Sequence, residues 1–145
     1  KITAIDYSED ALKYAKENSK MLKTRIDFIN ADLYEWRPMP ESFDIIVSNP
    51  PYISPDEIPD MEVRVKDFEP AEALFVTLKD PIRPYKRIEE IANLGLKPRG
   101  RIYMELNPRF ADEVRKYYIT HGWVNVEIRV DSYGRKRMIK AEKSD

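Results

Sequence analysis

The sequence predicts an α/β fold whose sheet is mostly parallel and closes in an antiparallel hairpin. Three observations carry that reading. Short apolar runs alternate with an amphipathic helical segment over the first fifty residues. Polar residues, Asp6, Asp32 and Asn49, stand where three of those runs end. The last two β-like runs, 124–130 and 135–141, are joined by Asp131-Ser132-Tyr133-Gly134, a hairpin signal. Ligands of parallel sheets bind at the carboxyl ends of the strands, so the three polar residues are expected to converge on one edge.

The elements follow in order. Residues 1–6 form a buried strand ending in Asp6. Ser8 is an N-cap, and Glu9 and Asp10 suit the first turn of the helix it opens. Ala11, Leu12, Ala15 and Leu22 give that helix an apolar side, opposite Lys16, Lys20 and Lys23. Residues 25–30 make a second strand, with Ala31-Asp32-Leu33 at its end, and Phe43-Asp44-Ile45-Ile46-Val47-Ser48 is a buried third strand. From Asn49 to Asp80 the chain reads as irregular, with prolines 50, 51, 55, 59 and 70, a length that marks a binding or lid region. Pro84 opens a helix to Leu94, with Gly95 past its end. Lys97-Pro98-Arg99-Gly100 is a turn and 101–106 a fourth strand; Asn107 caps a helix with Pro108 in its first position and Gly122 at its end.

Composition bounds the function. One domain of 145 residues with 25 Lys plus Arg against 26 Asp plus Glu gives no electrostatic case for a nucleic-acid partner. With no cysteine and a single histidine, His121, thiolate metal sites, cysteine nucleophiles and most histidine-based arrangements are excluded, and no metal is expected. His121 sits at a helix end, a capping or surface position. No apolar run reaches membrane-spanning length and no signal-peptide pattern is present, so no membrane partner and a cytoplasmic location are expected.

Asn49-Pro50-Pro51-Tyr52 is the most informative stretch. Proline fixes its own φ and restricts the residue before it, so two prolines after a strand make a stiff arm. Such an arm presents the Asn49 side chain and the Pro50 carbonyl in fixed directions. Together they can hold both hydrogens of a planar nitrogen, and Tyr52 can cover its flat face. A planar nitrogen is a poor nucleophile because its lone pair is delocalised. An Asn-Pro-Pro-aromatic tetrapeptide at the end of a strand resembles the substrate clamp of enzymes that methylate such a nitrogen.

At these residues the chain resembles the class I S-adenosylmethionine-dependent methyltransferases, and within them the release-factor glutamine methyltransferases of the HemK type. The resemblance runs through residues 4–12, Ala31-Asp32-Leu33, residues 44–53, Phe68-Glu69-Pro70 with Ala73-Leu74, Tyr103-Met104-Glu105-Leu106, and Gly134-Arg135. It implies a Rossmann-like sheet in a single truncated catalytic domain spanning 1–145, with the family's first strand missing. It implies S-adenosyl-L-methionine as cofactor and a peptide chain release factor as protein partner. Asp6 would bind the ribose hydroxyls, Asp32 the adenine amino group, and the Leu33 backbone N–H the same ring, with Asn49 completing the cofactor-binding positions. Asn49, as the catalytic residue, would hold the substrate amide with the Pro50 carbonyl, beside Pro51 and Tyr52. Glu69 would orient the substrate loop or make a surface ion pair. The bland readings are a helix-capping acid for Asp6, a turn residue for Asp32 and loop packing for Tyr52.

Two departures stand out. The first glycine is Gly95, so the glycine-rich loop that would cradle the cofactor is not in this sequence, and cofactor binding is expected to be weak. After Leu74, where relatives carry a glycine-rich acidic segment, stands Phe75-Val76-Thr77-Leu78-Lys79-Asp80-Pro81. A piece of a larger enzyme accounts for both more simply than a divergent protein. An amine methyltransferase of RNA or DNA and a non-catalytic remnant of the fold are the alternatives. Without the missing strand, the strands at 2–6 and 43–48 are expected to pair directly in a six-stranded sheet. Pairing supplied by a second copy, in a dimer through exposed strand edges, is the less favoured outcome.

Overall fold

The computed structural model describes residues 1–54, 56–57 and 79–145. They form two compact units, Lys1–Arg37 and Pro38–Asp145. The Glu69 position, the rest of 68–74 and residues 75–78 lie outside the described residues.

The first unit is a β-α-β element. Strand β1 (Ile2–Asp6) runs parallel to β2 (Ile26–Asn30), in register from Ile2 opposite Ile26 to Asp6 opposite Asn30, and α1 (Glu9–Met21) connects them. The Ser8 hydroxyl accepts the Ala11 N–H at 3.2 Å, as an N-cap should. Beyond the helix, Lys23 takes a left-handed φ of 53°. Ser19 and Thr24 then close the end, with the Ser19 hydroxyl donating to the Thr24 carbonyl at 2.9 Å. The inward face of α1 is narrower than its apolar residues implied. Leu12 and Ser19 are buried and Ala15 half-buried, whereas Ala11 and Leu22 are exposed. A two-stranded sheet is wide enough to cover one row of side chains, not two.

The second unit holds a four-stranded sheet in the order β3-β4-β6-β5. Strand β3 (Phe43–Ser48) is parallel to β4 (Leu96–Glu105). Strand β6 (Lys136–Glu142) is antiparallel to both β4 and β5 (Val124–Val130). Helix α2 (Arg83–Gly95) precedes β4 and α3 (Ala111–Thr120) follows it. The core lies here: Tyr85, Ile88, Ala92, Leu96, Ile102, Leu106, Val114, Tyr118, Trp123 and Ile139 are buried. The hairpin turns as the sequence implied, with Gly134 at φ 78° and the Asp131 carboxylate accepting the N–H groups of Tyr133 and Arg135. Helix α2 ends against Pro38, which would stand 2.8 Å from a Cβ placed on Gly95.

Several expectations are corrected. The strands do not form one six-stranded sheet; β1 pairs with β2, and β3 with β4, in separate sheets. That expectation assumed backbone groups sealed in a core. Ile2, Ile5, Ile45 and Val47 are instead exposed, so β1 and β3 are not the buried strands their composition implied, and water reaches them. Residues 97–100 are not a free turn but a bulge within β4, between the pairs Phe43–Leu96 and Ile45–Arg101, with Arg99 at φ 62°. Helix α3 starts at Ala111, after a turn in which the Phe110 N–H donates to the Asn107 carbonyl. Asn107 is therefore not its cap. His121 does hold the expected place at the exposed end of α3, its Nδ1 2.8 Å from the Tyr117 carbonyl.

Candidate active site

In the first unit, two predicted cofactor positions share the carboxyl edge of the β1–β2 sheet. The Ala31 N–H donates to the Asp6 carbonyl, and the Asn30 amide donates to the carbonyls of Asp6 and Tyr7 at 3.1 and 2.7 Å, so the two strand ends are tied together. One oxygen of the exposed Asp6 carboxylate accepts the Ser8 N–H at 2.8 Å, which helps to start α1. The other oxygen has no hydrogen-bond partner among the described residues. Asp32 uses one carboxylate oxygen on the Tyr34 N–H at 2.7 Å and its carbonyl on the N–H groups of Glu35 and Trp36. Both acids thus play their local structural part with one oxygen, and the other has no hydrogen-bond partner among the described residues. Leu33, half-buried, follows Asp32 in the same turn.

The second unit carries the arm. Strand β3 ends at Ser48 opposite Met104 of β4. Asn49 is exposed and Pro50 buried. Neither the Asn49 carboxamide nor the Pro50 carbonyl has a hydrogen-bond partner among the described residues. Pro51 follows, half-buried, and Tyr52 is tied down from two directions. Its hydroxyl donates to Glu105 Oε1 at 2.7 Å, and its carbonyl accepts from Asn107 Nδ2 at 2.9 Å. The Arg137 guanidinium stands over the Tyr52 ring, 5.8 Å from its centre, and 3.8 Å from the Glu105 carboxylate. Burial first, and then the hydrogen bond to Glu105, push the Tyr52 phenol up to about 12, with Arg137 opposing.

Ser54 and Glu57 follow as half of a capping box. The Glu57 carboxylate accepts the Ser54 N–H at 2.9 Å and also the Asn107 amide at 2.7 Å. Arg109 pairs with Asp56 beside it at 2.5 Å, and bonding to Ser54 and Arg109 holds the Asp56 carboxyl below the usual carboxylate range. Asn107, 3 % exposed, is the hub of this cluster. Its backbone N–H donates to the Tyr85 hydroxyl at 3.1 Å, and its Oδ1 accepts the Arg109 N–H at 2.9 Å. Burial pushes the Tyr85 phenol up.

Sequence reasoning assigned no role to Glu105, Arg137 or Glu57, and took Asn107 for a helix cap. The Ser54-Pro55-Asp56-Glu57 spacing was a legible capping signal. The place of Glu105 and Asn107 at the carboxyl end of a strand was a second one.

None of the four glycines offers the cradle expected for the methionine part of S-adenosylmethionine. Cβ atoms at Gly95 and Gly100 would meet Pro38 and the Lys97 carbonyl, and Gly122 and Gly134 sit in turns with positive φ. The spare oxygens of Asp6 and Asp32 fit the ribose and adenine part alone. Among the described residues no cluster of His, Asp and Glu could hold a metal ion, and no helix is long and apolar enough to cross a membrane.

Comparison with known proteins places the chain. A family profile described as a methyltransferase domain matches residues 1–66. The release factor glutamine methyltransferase of Bacteroides thetaiotaomicron is 35 % identical over 144 residues, covering 99 % of this chain and 52 % of that protein. The enzyme of the same name from Clostridium acetobutylicum is 40 % identical over 140 residues, covering 94 % and 48 %. Among solved structures, an S-adenosylmethionine-dependent O-methyltransferase from Thermotoga maritima superimposes with a TM-score of 0.67 at 14 % identity, covering all of this chain and 50 % of that one, which is a likeness of fold. Residues 1–66 are thus similar to a methyltransferase domain, and the whole chain shares its fold with a methyltransferase of known structure. Over nearly its whole length the chain is similar to release factor glutamine methyltransferases, and it spans about half the length of the curated relatives it matches.

Proposed function

We propose that this chain is the catalytic portion of an enzyme that methylates the side-chain amide nitrogen of a glutamine in a peptide chain release factor. One observation carries the reading. The Asn49 carboxamide and the Pro50 carbonyl are free of partners among the described residues, while Tyr52, two residues on, is bound at both its hydroxyl and its carbonyl. An arm anchored behind two uncommitted acceptors is what a primary amide with two N–H groups requires.

In this reading Asn49 Oδ1 accepts one amide hydrogen and the Pro50 carbonyl the other. The amide plane is thereby fixed, and the face that carries the nitrogen lone pair is aimed in one direction. When bound, S-adenosylmethionine supplies a methyl group made electrophilic by its sulfonium. Methyl transfer to the nitrogen would leave the sulfur with the electron pair of the broken S–C bond. The nitrogen then becomes acidic and loses its proton to water, so no strong base precedes the attack. Catalysis consists of orientation and hydrogen bonding. Asp6 and Asp32 would accept hydrogen bonds from the ribose and the adenine amino group. A release-factor substrate puts the reaction in the cytoplasm, and the names of the relatives support that substrate.

The test is transfer of a tritiated methyl group to a release factor or to nucleic acid. The chain is assayed alone and after extension with the N-terminal half of the Bacteroides relative. Label on glutamine is the expected result. Label on a base amine, or none in either form, overturns the reading.

A further inference from the structure

We infer that Asn107 is a positioning residue, through which the carboxyl end of β4 sets the direction of the Asn49–Tyr52 arm; this rests on the reading of that arm as the substrate clamp. The arm begins where Ser48 pairs with Met104. It ends where the Tyr52 hydroxyl meets Glu105 and the Tyr52 carbonyl meets Asn107. Both ends are therefore fixed to one short stretch of chain, residues 104–107.

Between the two anchors lie Asn49, Pro50 and Pro51, and the prolines leave little rotation in the backbone. An arm so held has few ways to turn, and the direction of the Pro50 carbonyl follows from where Tyr52 is held. The hydroxyl anchor acts at the far end of a side chain. The carbonyl anchor acts on the backbone itself, so Asn107 has the more direct hold on the arm.

Asn107 suits the task because it is itself immobilised. Its Oδ1 is engaged by the Arg109 N–H and its backbone N–H by the buried Tyr85 hydroxyl. Both hydrogens of its Nδ2 are used, one on Tyr52 and one on Glu57. Glu57 in turn holds the Ser54 N–H, so a single carboxamide ties the exit of the arm to the turn after it. No other side chain among the described residues bonds both segments.

The experiment compares Asn107→Ala and Asn107→Ser with the unaltered protein, in whichever form transfers methyl. Serine keeps an acceptor for the Arg109 N–H but does not reach the Tyr52 carbonyl, so it serves where alanine does not fold. Two quantities are read on the folded protein: amide hydrogen exchange at residues 52–54, with Ile102 and Met104 as controls, and kcat beside the KM for S-adenosylmethionine. Exchange at 52–54 is expected to rise at least tenfold. The controls stay unchanged, kcat falls about 10- to 100-fold through misplacement of the amide, and KM for the cofactor is unchanged. A folded variant with unaltered kcat overturns the inference, whatever its exchange. If the unaltered protein methylates nothing, the clamp reading fails by itself. Exchange then decides the anchor: a tenfold rise upholds it, and no change overturns it.

Discussion

Asn49 and Tyr52 stand three residues apart and do opposite work. Asn49 gives the fold nothing among the described residues, so Asn49→Ala should leave the free energy of unfolding within about 0.5 kcal/mol of the unaltered protein. It should cost at least about 100-fold in kcat, because the nucleophile loses its orientation. Thermal melts and methyl-transfer rates on one preparation separate the two effects, and near-normal turnover would remove Asn49 from the clamp. Tyr52→Phe should behave in the reverse way. The ring face survives, but the 2.7 Å hydrogen bond to Glu105 is lost, at about 1 kcal/mol for a half-exposed bond to a charged partner. The pH dependence follows from the raised phenol. In the unfolded chain Tyr52 loses its proton near pH 10, in the folded chain at about 12. Its contribution is complete below pH 10 and is lost between pH 10 and 12, since there the unfolded state alone has shed the proton. The stability gap between the unaltered protein and Tyr52→Phe should therefore narrow over that window, as measured by urea unfolding. A gap that widens would contradict the assignment.

Among the elements, those fixed by neighbours in sequence were legible and those fixed at a distance were not. Ser8 starts α1 by capping a residue three positions on, and β3 has the bounds its apolar run implied. The end of α2 is different. Lys143 reaches back to donate to the carbonyls of Asn93 at 2.7 Å and Leu96 at 2.8 Å, a contact across about fifty residues that no local pattern announces. The bulge at 97–100 arises likewise from pairing with distant partners, including the Lys143 N–H on the Gly100 carbonyl. In the candidate site the arm was readable because prolines impose their geometry locally. Its anchors Glu105, Asn107 and Arg137 lie on chain 53 to 85 residues away, and folding alone brings them together. One such distant contact carries a prediction for the helical layer. Glu89 on α2 is 4 % exposed and accepts the Trp123 indole N–H at 2.9 Å. Trp123→Phe strands that carboxylate in the core and should cost about 2 kcal/mol, read as a lower urea midpoint with unchanged m. Glu89→Leu added to Trp123→Phe should recover part of the loss, since the stranded charge is then gone. Simple additivity of the two changes would show the bond to be unimportant.

For the molecule as a whole, the separation of the described residues into two units bears on what the chain can bind. The first unit offers Asp6 and Asp32, each with one carboxylate oxygen already spent on the fold. In the proposed reading the remaining oxygens would accept hydrogen bonds from a ribose and an adenine. Exposed contacts of this kind are each worth about 1 kcal/mol against competing water. The methionine end of S-adenosylmethionine carries a sulfonium, an ammonium and a carboxylate, and close backbone approach to such a group calls for glycine. All four glycines of this chain are engaged elsewhere, two against Pro38 and Lys97 and two in turns. A millimolar Kd corresponds to about 4 kcal/mol and a micromolar one to about 8. After the loss of translational freedom, two or three exposed hydrogen bonds fall short of the second figure. The 145 residues alone should accordingly bind S-adenosylmethionine no more tightly than about 100 μM, with adenosine binding nearly as well because the missing contacts belong to the methionine end. Titration calorimetry with the two ligands tests this. Micromolar binding of S-adenosylmethionine, or a large preference for it over adenosine, would mean that residues of this chain grip the methionine end after all.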